Sequence, residues 1–194
     1  VEYDLLPVVV GPEAALNEIH NLPIRIVDSY ASSMGLGFVV LTSARAAAAG
    51  KSIEEVVLAA EHMRDNVHLL FVVDTLEYLH RGGRITGAKR LLGTALQSKP
   101  ILHFKDGLIQ PHSQARTRKK ALGQMLDTAE ERLSGKAMAE ACVVNTDCRS
   151  DGEALVRMVK DRFQPGSIYL SECSPVVGTH VGPGGLGLAY YPEA

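Results

Sequence analysis

The sequence predicts a layered α/β protein, with a mixed, partly antiparallel sheet and helices flanking it. Short apolar runs at residues 68–73, 101–104, 141–145 and 168–170 have the length and content of buried strands. They alternate with longer stretches whose apolar residues recur at i, i+3, i+4 and i+7. Asp106-Gly107 between two apolar runs marks a β-hairpin, so the sheet cannot be purely parallel. At 194 residues, 46% of them hydrophobic and 22% charged, the chain has the composition of a globular protein. Folding at this length buries roughly 70% of the unfolded surface, so neither metals nor disulfides are needed to make folding possible.

Residues 1–23 are cut by Pro7, Gly11, Pro12 and Pro23 into a short strand at 8–10 and a short helix at 13–20. They are expected to be the remnant of an N-terminal domain or a linker, ahead of one α/β domain over residues 24–194. Residues 24–27, Ile-Arg-Ile-Val, have strand composition, and the small polar run 28–33 suits a strand exit. Residues 34–49 are apolar on nearly every face and close on Gly50, which predicts a buried helix at the centre of the domain. Ser52-Ile-Glu-Glu55 is a capping box that opens a helix carrying Ile53, Val56, Val57 and Ala60. The strand at 68–73 ends on Asp74-Thr75. Leu122, Met125, Leu126, Ala129 and Leu133 form one helical stripe, and a second capping box, Ser150 to Glu153, is expected to introduce a helix with Leu155, Met158, Val159 and Phe163 on one face.

Lys+Arg total 20 against 22 Asp+Glu, a net charge of −2, so no global excess of positive charge would recruit nucleic acid or an anionic membrane. The three cysteines show no CxxC spacing, which fits a reducing compartment and a cytoplasmic location. No apolar run approaches the roughly 20 residues of a spanning helix, and no signal peptide is legible. There is no GxSxG elbow, HExxH pair or GxxxxGK[ST] loop. A self-sufficient enzyme is not expected, nor is a cofactor or metal.

Three constellations remain. The stretch 178–187, Gly-Thr-His-Val-Gly-Pro-Gly-Gly-Leu-Gly, satisfies GxGxxG formally. A dinucleotide fold needs a helix, a strand and an acidic residue after it, and these do not follow. What is left is a glycine-rich loop whose amides can approach a carboxylate or phosphate beside His180, or a tight turn in which His180 is satisfied by a backbone carbonyl. Gly82-Gly83 can reverse the chain and aim Arg84 at a carboxylate as a two-pronged donor; the plainer alternative is a solvated arginine or one that caps a helix C-terminus. The basic run Arg116-Thr-Arg118-Lys119-Lys120 opens a helix and reads as a solvated face or a patch for an acidic protein partner.

Taken in order, Val27-Asp-Ser29, Ser33-Met-Gly-Leu-Gly37, Gly82-Gly-Arg84-Ile85, Lys99-Pro-Ile-Leu102 before Asp106-Gly107, Arg116 to Lys120, and Thr179-His-Val-Gly-Pro-Gly184 closely resemble the DegV family of fatty-acid-binding proteins. The resemblance runs from about Ile24 to the C-terminus, as that family's C-terminal domain with most of the usual N-terminal domain absent. It implies a protein that holds a long-chain fatty acid and presents its carboxylate to a separate ATP-dependent fatty acid kinase. The implied head-group residues are Arg84 and His180, with Thr179, Ser33, Gly182 and Gly184 around them; Ser33 and the glycines beside it are structural first. Arg116, Arg118 and Lys119 are the expected partner surface. In such a site the tail sets affinity, at about 0.8 kcal/mol per buried methylene, and the head sets orientation through bonds of about 1.5–3 kcal/mol each. The alternative is a domain that keeps the fold without its own ligand and docks a kinase-like partner through residues 116–120.

Overall fold

The computed structural model describes residues 24–85 and 98–193. The strand and helix expected before residue 24, and Thr86 and Gly87 of the Gly-Gly-Arg stretch, lie outside the described residues. The elements are α1 (Ser33–Ala48), α2 (Ile53–Asn66), β1 (His68–Val72), α3 (Glu77–Arg81), β2 (Lys99–Lys105), β3 (Leu108–Ala115), α4 (Arg118–Leu133), β4 (Met138–Asn145), α5 (Arg149–Phe163), β5 (Ser167–Glu172), α6 (Pro175–Val181) and β6 (Leu186–Pro192).

One six-stranded sheet in the order β3-β2-β1-β6-β4-β5 carries them. Among the described residues only β4 and β5 run parallel; every other neighbouring pair is antiparallel. The hairpin turn is the expected one, with Asp106 at φ 52° and Gly107 at φ 76°, both left-handed as the two-residue turn requires.

Alternation along the strands divides the core between two faces. Leu70, Val72, Ile101, Val143 and Leu188 point to the face covered by α4 and α5. Leu69, Cys142, Val144 and Ala189 point to the other, under α1 and α2. Further along that second face, Phe71, Val73 and Leu102 join Leu76, Leu79 and Ile85 around α3. The product is a helix–sheet–helix sandwich. Among the described residues no helix is long and apolar enough to cross a membrane.

The capping box of α2 forms as expected: the Glu55 amide donates to Ser52 Oγ at 3.2 Å and the Ser52 amide donates to Glu55 Oε2 at 2.9 Å. The second does not. Helix α5 begins at Arg149 with Cys148 as N-cap and no side-chain cap, because Asn145 Oδ1 takes the Cys148 amide at 3.2 Å and starts the helix ahead of Ser150. Glu153, freed from capping, pairs with Arg149.

Two other expectations are corrected. Residues 24–27 form no strand; no described strand offers them a ladder, and Ile24 and Ile26 stand exposed. Helix α1 is not a buried centre. It buries Gly35, Phe38 and Val39 and leaves Leu36 42%, Val40 55% and Leu41 37% exposed. The sheet and α2 cover one side, while the side facing away from them is equally apolar.

Candidate functional site

The site is assembled from two short helices at the end of the sheet. Helix α3 follows β1, is anchored by the fully buried Leu79, and stops on Gly82 and Gly83, the latter at φ 72°. Helix α6 was legible only as a glycine-rich loop. Its start is written in Ser174-Pro175, with Ser174 Oγ accepting from the Val177 amide at 3.4 Å and proline at the first helical position.

These helices meet by a reciprocal contact. A β-carbon on Gly82, the residue that ends α3, would fall 2.1 Å from His180 Nδ1. One on Gly182, which ends α6, would fall 2.3 Å from Tyr78 Cδ2. Each helix therefore lays a ring on the glycine that closes the other, and a side chain at either position would have to displace that ring.

Arg84 and His180, far apart in sequence, come together at Gly82. Arg84 Nη1 donates to the Gly82 carbonyl at 2.7 Å, and the Arg84 amide donates to the Leu79 carbonyl at 2.8 Å, fixing the base of the side chain at the end of α3. His180 Nδ1 is buried and finds no hydrogen-bond partner among the described residues. Burial first, and then the Arg84 guanidinium, push its pKa below the ordinary histidine value. The imidazole is neutral at pH 7 and keeps one N–H to donate. A half-buried guanidinium beside a neutral imidazole has the chemistry to donate hydrogen bonds to one anionic group.

The other expected ligand residues have different work. Thr179 Oγ1 donates to the Val176 carbonyl at 2.7 Å. The amides of Gly182, Gly184 and Gly185 donate to the Gly178 carbonyl, the Thr146 carbonyl and Thr146 Oγ1 at 2.8, 2.7 and 2.7 Å. The glycine-rich loop thus turns these three amides inward, as a tight turn does. Gly182 and Gly184 are required by space and by φ of 77° and 78°, since a β-carbon at Gly184 would meet Asp74 Oδ2 at 2.3 Å. Ser33, at φ 50°, lies with its hydroxyl beside the Cys173 thiol, at the opposite end of α6 from His180. Thr146, which no sequence signal singled out, ties the loop together: its buried hydroxyl donates to the Gly182 carbonyl at 2.6 Å while accepting from Gly185.

The basic run is also divided. Arg116 and Lys119 are exposed. Arg118 turns inward: Nη1 donates to the Gly184 carbonyl at 2.7 Å, and Nε lies 2.7 Å from Asp151 Oδ2. A concavity of about 250 Å³ lies on the other side of α6, among Asn145, Asp147, Cys173, Ser174 and Pro183. Its lining mixes polar and apolar surface and excludes Arg84 and His180, and it is smaller than the roughly 300–1,000 Å³ of ordinary ligand pockets, so it is not an acyl tunnel. Burial raises the pKa of all three cysteines, that of Cys142 up to about 12, and none is poised as a thiolate nucleophile.

The DegV family profile, a family of uncharacterised proteins, matches residues 13–193. This chain belongs to the DegV family. It is 37% identical over 184 residues to a DegV domain-containing protein of Clostridium acetobutylicum, covering 95% of this chain and 64% of that protein. With protein DegV of Bacillus subtilis it shares 32% identity over 178 residues, covering 91% and 63% of the two chains. Among solved structures, a DegV family protein from Thermus thermophilus, described for its fatty acid binding, superposes with a TM-score of 0.88 at 32% identity, covering 95% of this chain and 66% of that one. DegV from B. subtilis, described as a fatty acid binding protein, gives a TM-score of 0.81 at 32% identity, covering 93% and 64%. The chain thus spans slightly less than two thirds of the length of these DegV relatives.

Proposed function

We propose that this DegV protein binds a long-chain fatty acid, with Arg84 and His180 at its carboxylate, and presents that carboxylate to a separate ATP-dependent fatty acid kinase without performing catalysis itself. The single observation that carries the reading is the convergence of the Arg84 guanidinium and the His180 imidazole on Gly82. Support comes from the T. thermophilus and B. subtilis relatives, whose structures are described as fatty acid binding. The exposed side of α1, with Leu36 and Val40, offers an apolar wall for the tail. Exposed Arg116 and Lys119 are the residues of the basic run available to a kinase partner.

The test is titration of the delipidated chain with palmitate, read by calorimetry and native mass spectrometry, alongside Arg84→Ala. The expected result is one acid per chain and roughly 10-fold or greater weakening in the variant, the value of one charge-assisted bond. An intact, folded chain that takes up no acyl ligand by either method overturns the reading. The alternative, a ligand-free docking domain, draws on the exposed Arg116 and Lys119 of the basic run. It requires Arg116→Glu to abolish kinase pull-down in a chain that binds no acid.

A further inference from the structure

Helices α3 and α6 are five and seven residues long, too short to hold themselves in place. Helix α6 buries none of its residues. The placement of Arg84 against His180 therefore depends on what grips the ends of these helices. The rings on Gly82 and Gly182 grip them from one side. The other grip is Arg118, at the first turn of α4.

Its guanidinium reaches four groups from separate parts of the chain. Nη1 donates to the Gly184 carbonyl at 2.7 Å and lies 3.4 Å from Asp74 Oδ1. Nε lies 2.7 Å from Asp151 Oδ2 on α5, and Nη2 donates to Cys148 Sγ at 3.5 Å. Asp74 stands between β1 and α3, and Gly184 stands between α6 and β6. Asp74 also takes Lys99 Nζ at 2.7 Å, which holds its carboxylate in place. Glycine at 184 is what lets Asp74 approach so closely. The Arg118 side chain is 21% exposed and its carboxylate partners Asp74 and Asp151 are 45% and 46% exposed, so solvent screens the charge pairs and the grip lies in the fork's simultaneous reach to the Gly184 carbonyl and both carboxylates. A lysine could present one charge to one of these acceptors but could not span them.

We infer that Arg118, working with Asp74, is a positioning residue for the head-group pair: a guanidinium clamp that ties the segment entering α3 to the loop leaving α6, and so sets Arg84 relative to His180. This rests on the fatty-acid reading above and deepens it. It also moves Arg118 from the outward-facing partner surface to the interior support of the site.

The experiment compares Arg118→Met, Arg118→Lys and Asp74→Asn with Arg162→Met in the full chain. Arg162 is a matched control, because it too holds two carboxylates, Asp127 and Glu130, at a helix–helix junction remote from the site. Two readouts are taken without any kinase: palmitate affinity, and the titration midpoint of His180 followed by NMR. Arg118→Met is expected to weaken palmitate roughly 10-fold or more, and Arg118→Lys and Asp74→Asn by less. The His180 midpoint should move toward the ordinary histidine value as its packing beside Arg84 loosens, while Arg162→Met changes neither readout. If Arg118→Met does not fold, the lysine and asparagine variants carry the comparison. Folded Arg118 and Asp74 variants with wild-type His180 midpoints and wild-type palmitate affinity overturn the clamp. If the unaltered chain fails to bind palmitate while the His180 midpoint still moves in the variants, the clamp stands and the fatty-acid reading falls.

Discussion

Replacing Gly82 by alanine puts one methyl group where the proposed head-group site is tightest. The new β-carbon would stand 2.1 Å from His180 Nδ1 and 2.9 Å from Cε1, with the Tyr78 carbonyl oxygen at 3.2 Å. Gly82 has φ −78°, which any L-residue adopts, so the perturbation is purely one of space. The backbone oxygen needs to give only slightly, but the imidazole must leave. Because His180 is only half-buried, its ring can swing outward, and the stability cost stays at about 1 kcal/mol, the low end for overpacking. In a chain of this size that lowers Tm by about 2–4 °C. The carboxylate loses one of its two donors, about 1.5–3 kcal/mol, or roughly 10- to 150-fold in affinity. Gly83→Ala supplies the opposite signature. Nothing lies within 4 Å of its β-carbon, but its φ is 72°, so it costs about 1–2 kcal/mol of backbone strain without displacing His180. Palmitate titration and thermal denaturation of both variants make the comparison. Gly82→Ala protein that binds palmitate as tightly as the unaltered chain would refute the claim that His180 on Gly82 orients the head group.

Two further outcomes follow from other parts of the fold. His68 packs on Tyr190 with ring centroids 5.1 Å apart, and burial first, then the Arg132 charge, push its pKa down to about 4; His103 is lowered to about 4 by burial, Arg132, His112 and Lys105. The unfolded chain binds protons on these histidines near pH 6.5 and the folded chain does not, so the stability they contribute is present above pH 6.5 and lost as pH falls toward 4. For His68 this is on the order of 3 kcal/mol as an upper bound, and urea midpoints between pH 7 and 4 should fall less steeply in His68→Gln; equal slopes would count against it. Thr146→Val strips the hydroxyl shared by the Gly182 carbonyl and the Gly185 amide, leaving two buried polar groups unpaired at about 1–3 kcal/mol each. Differential scanning calorimetry should show a lower Tm in that variant, and an unchanged Tm would mean that the loop is held by other bonds.

Local chemistry was legible wherever it was complete within a few residues. Asp106-Gly107 specifies its hairpin because both turn residues accept left-handed backbone. The Ser52–Glu55 box closes on itself. The same reasoning failed at Ser150, where Asn145, a residue on β4, supplies the acceptor that decides where α5 begins. At residues 178–187 it left two readings open, amides facing a ligand or a tight turn, and could not choose between them. Those amides are consumed by Thr146 and by the turn before them, partners that no spacing rule reveals.

The sequence by itself determined the sandwich: strand length, helical stripes, one capping box and one turn are statements about neighbours along the chain, and their physics is short-ranged. It also flagged Arg84 and His180 as residue types suited to an anion. Only the tertiary structure decided that the two meet on Gly82, that Arg118 faces inward while Arg116 and Lys119 face out, and that the apolar helix α1 is covered on one side alone. The reason is that burial and pairing belong to surfaces brought together by the sheet order β3-β2-β1-β6-β4-β5, which lays β6, the last described strand, beside β1, the first described, and so brings the ends of α3 and α6 into contact.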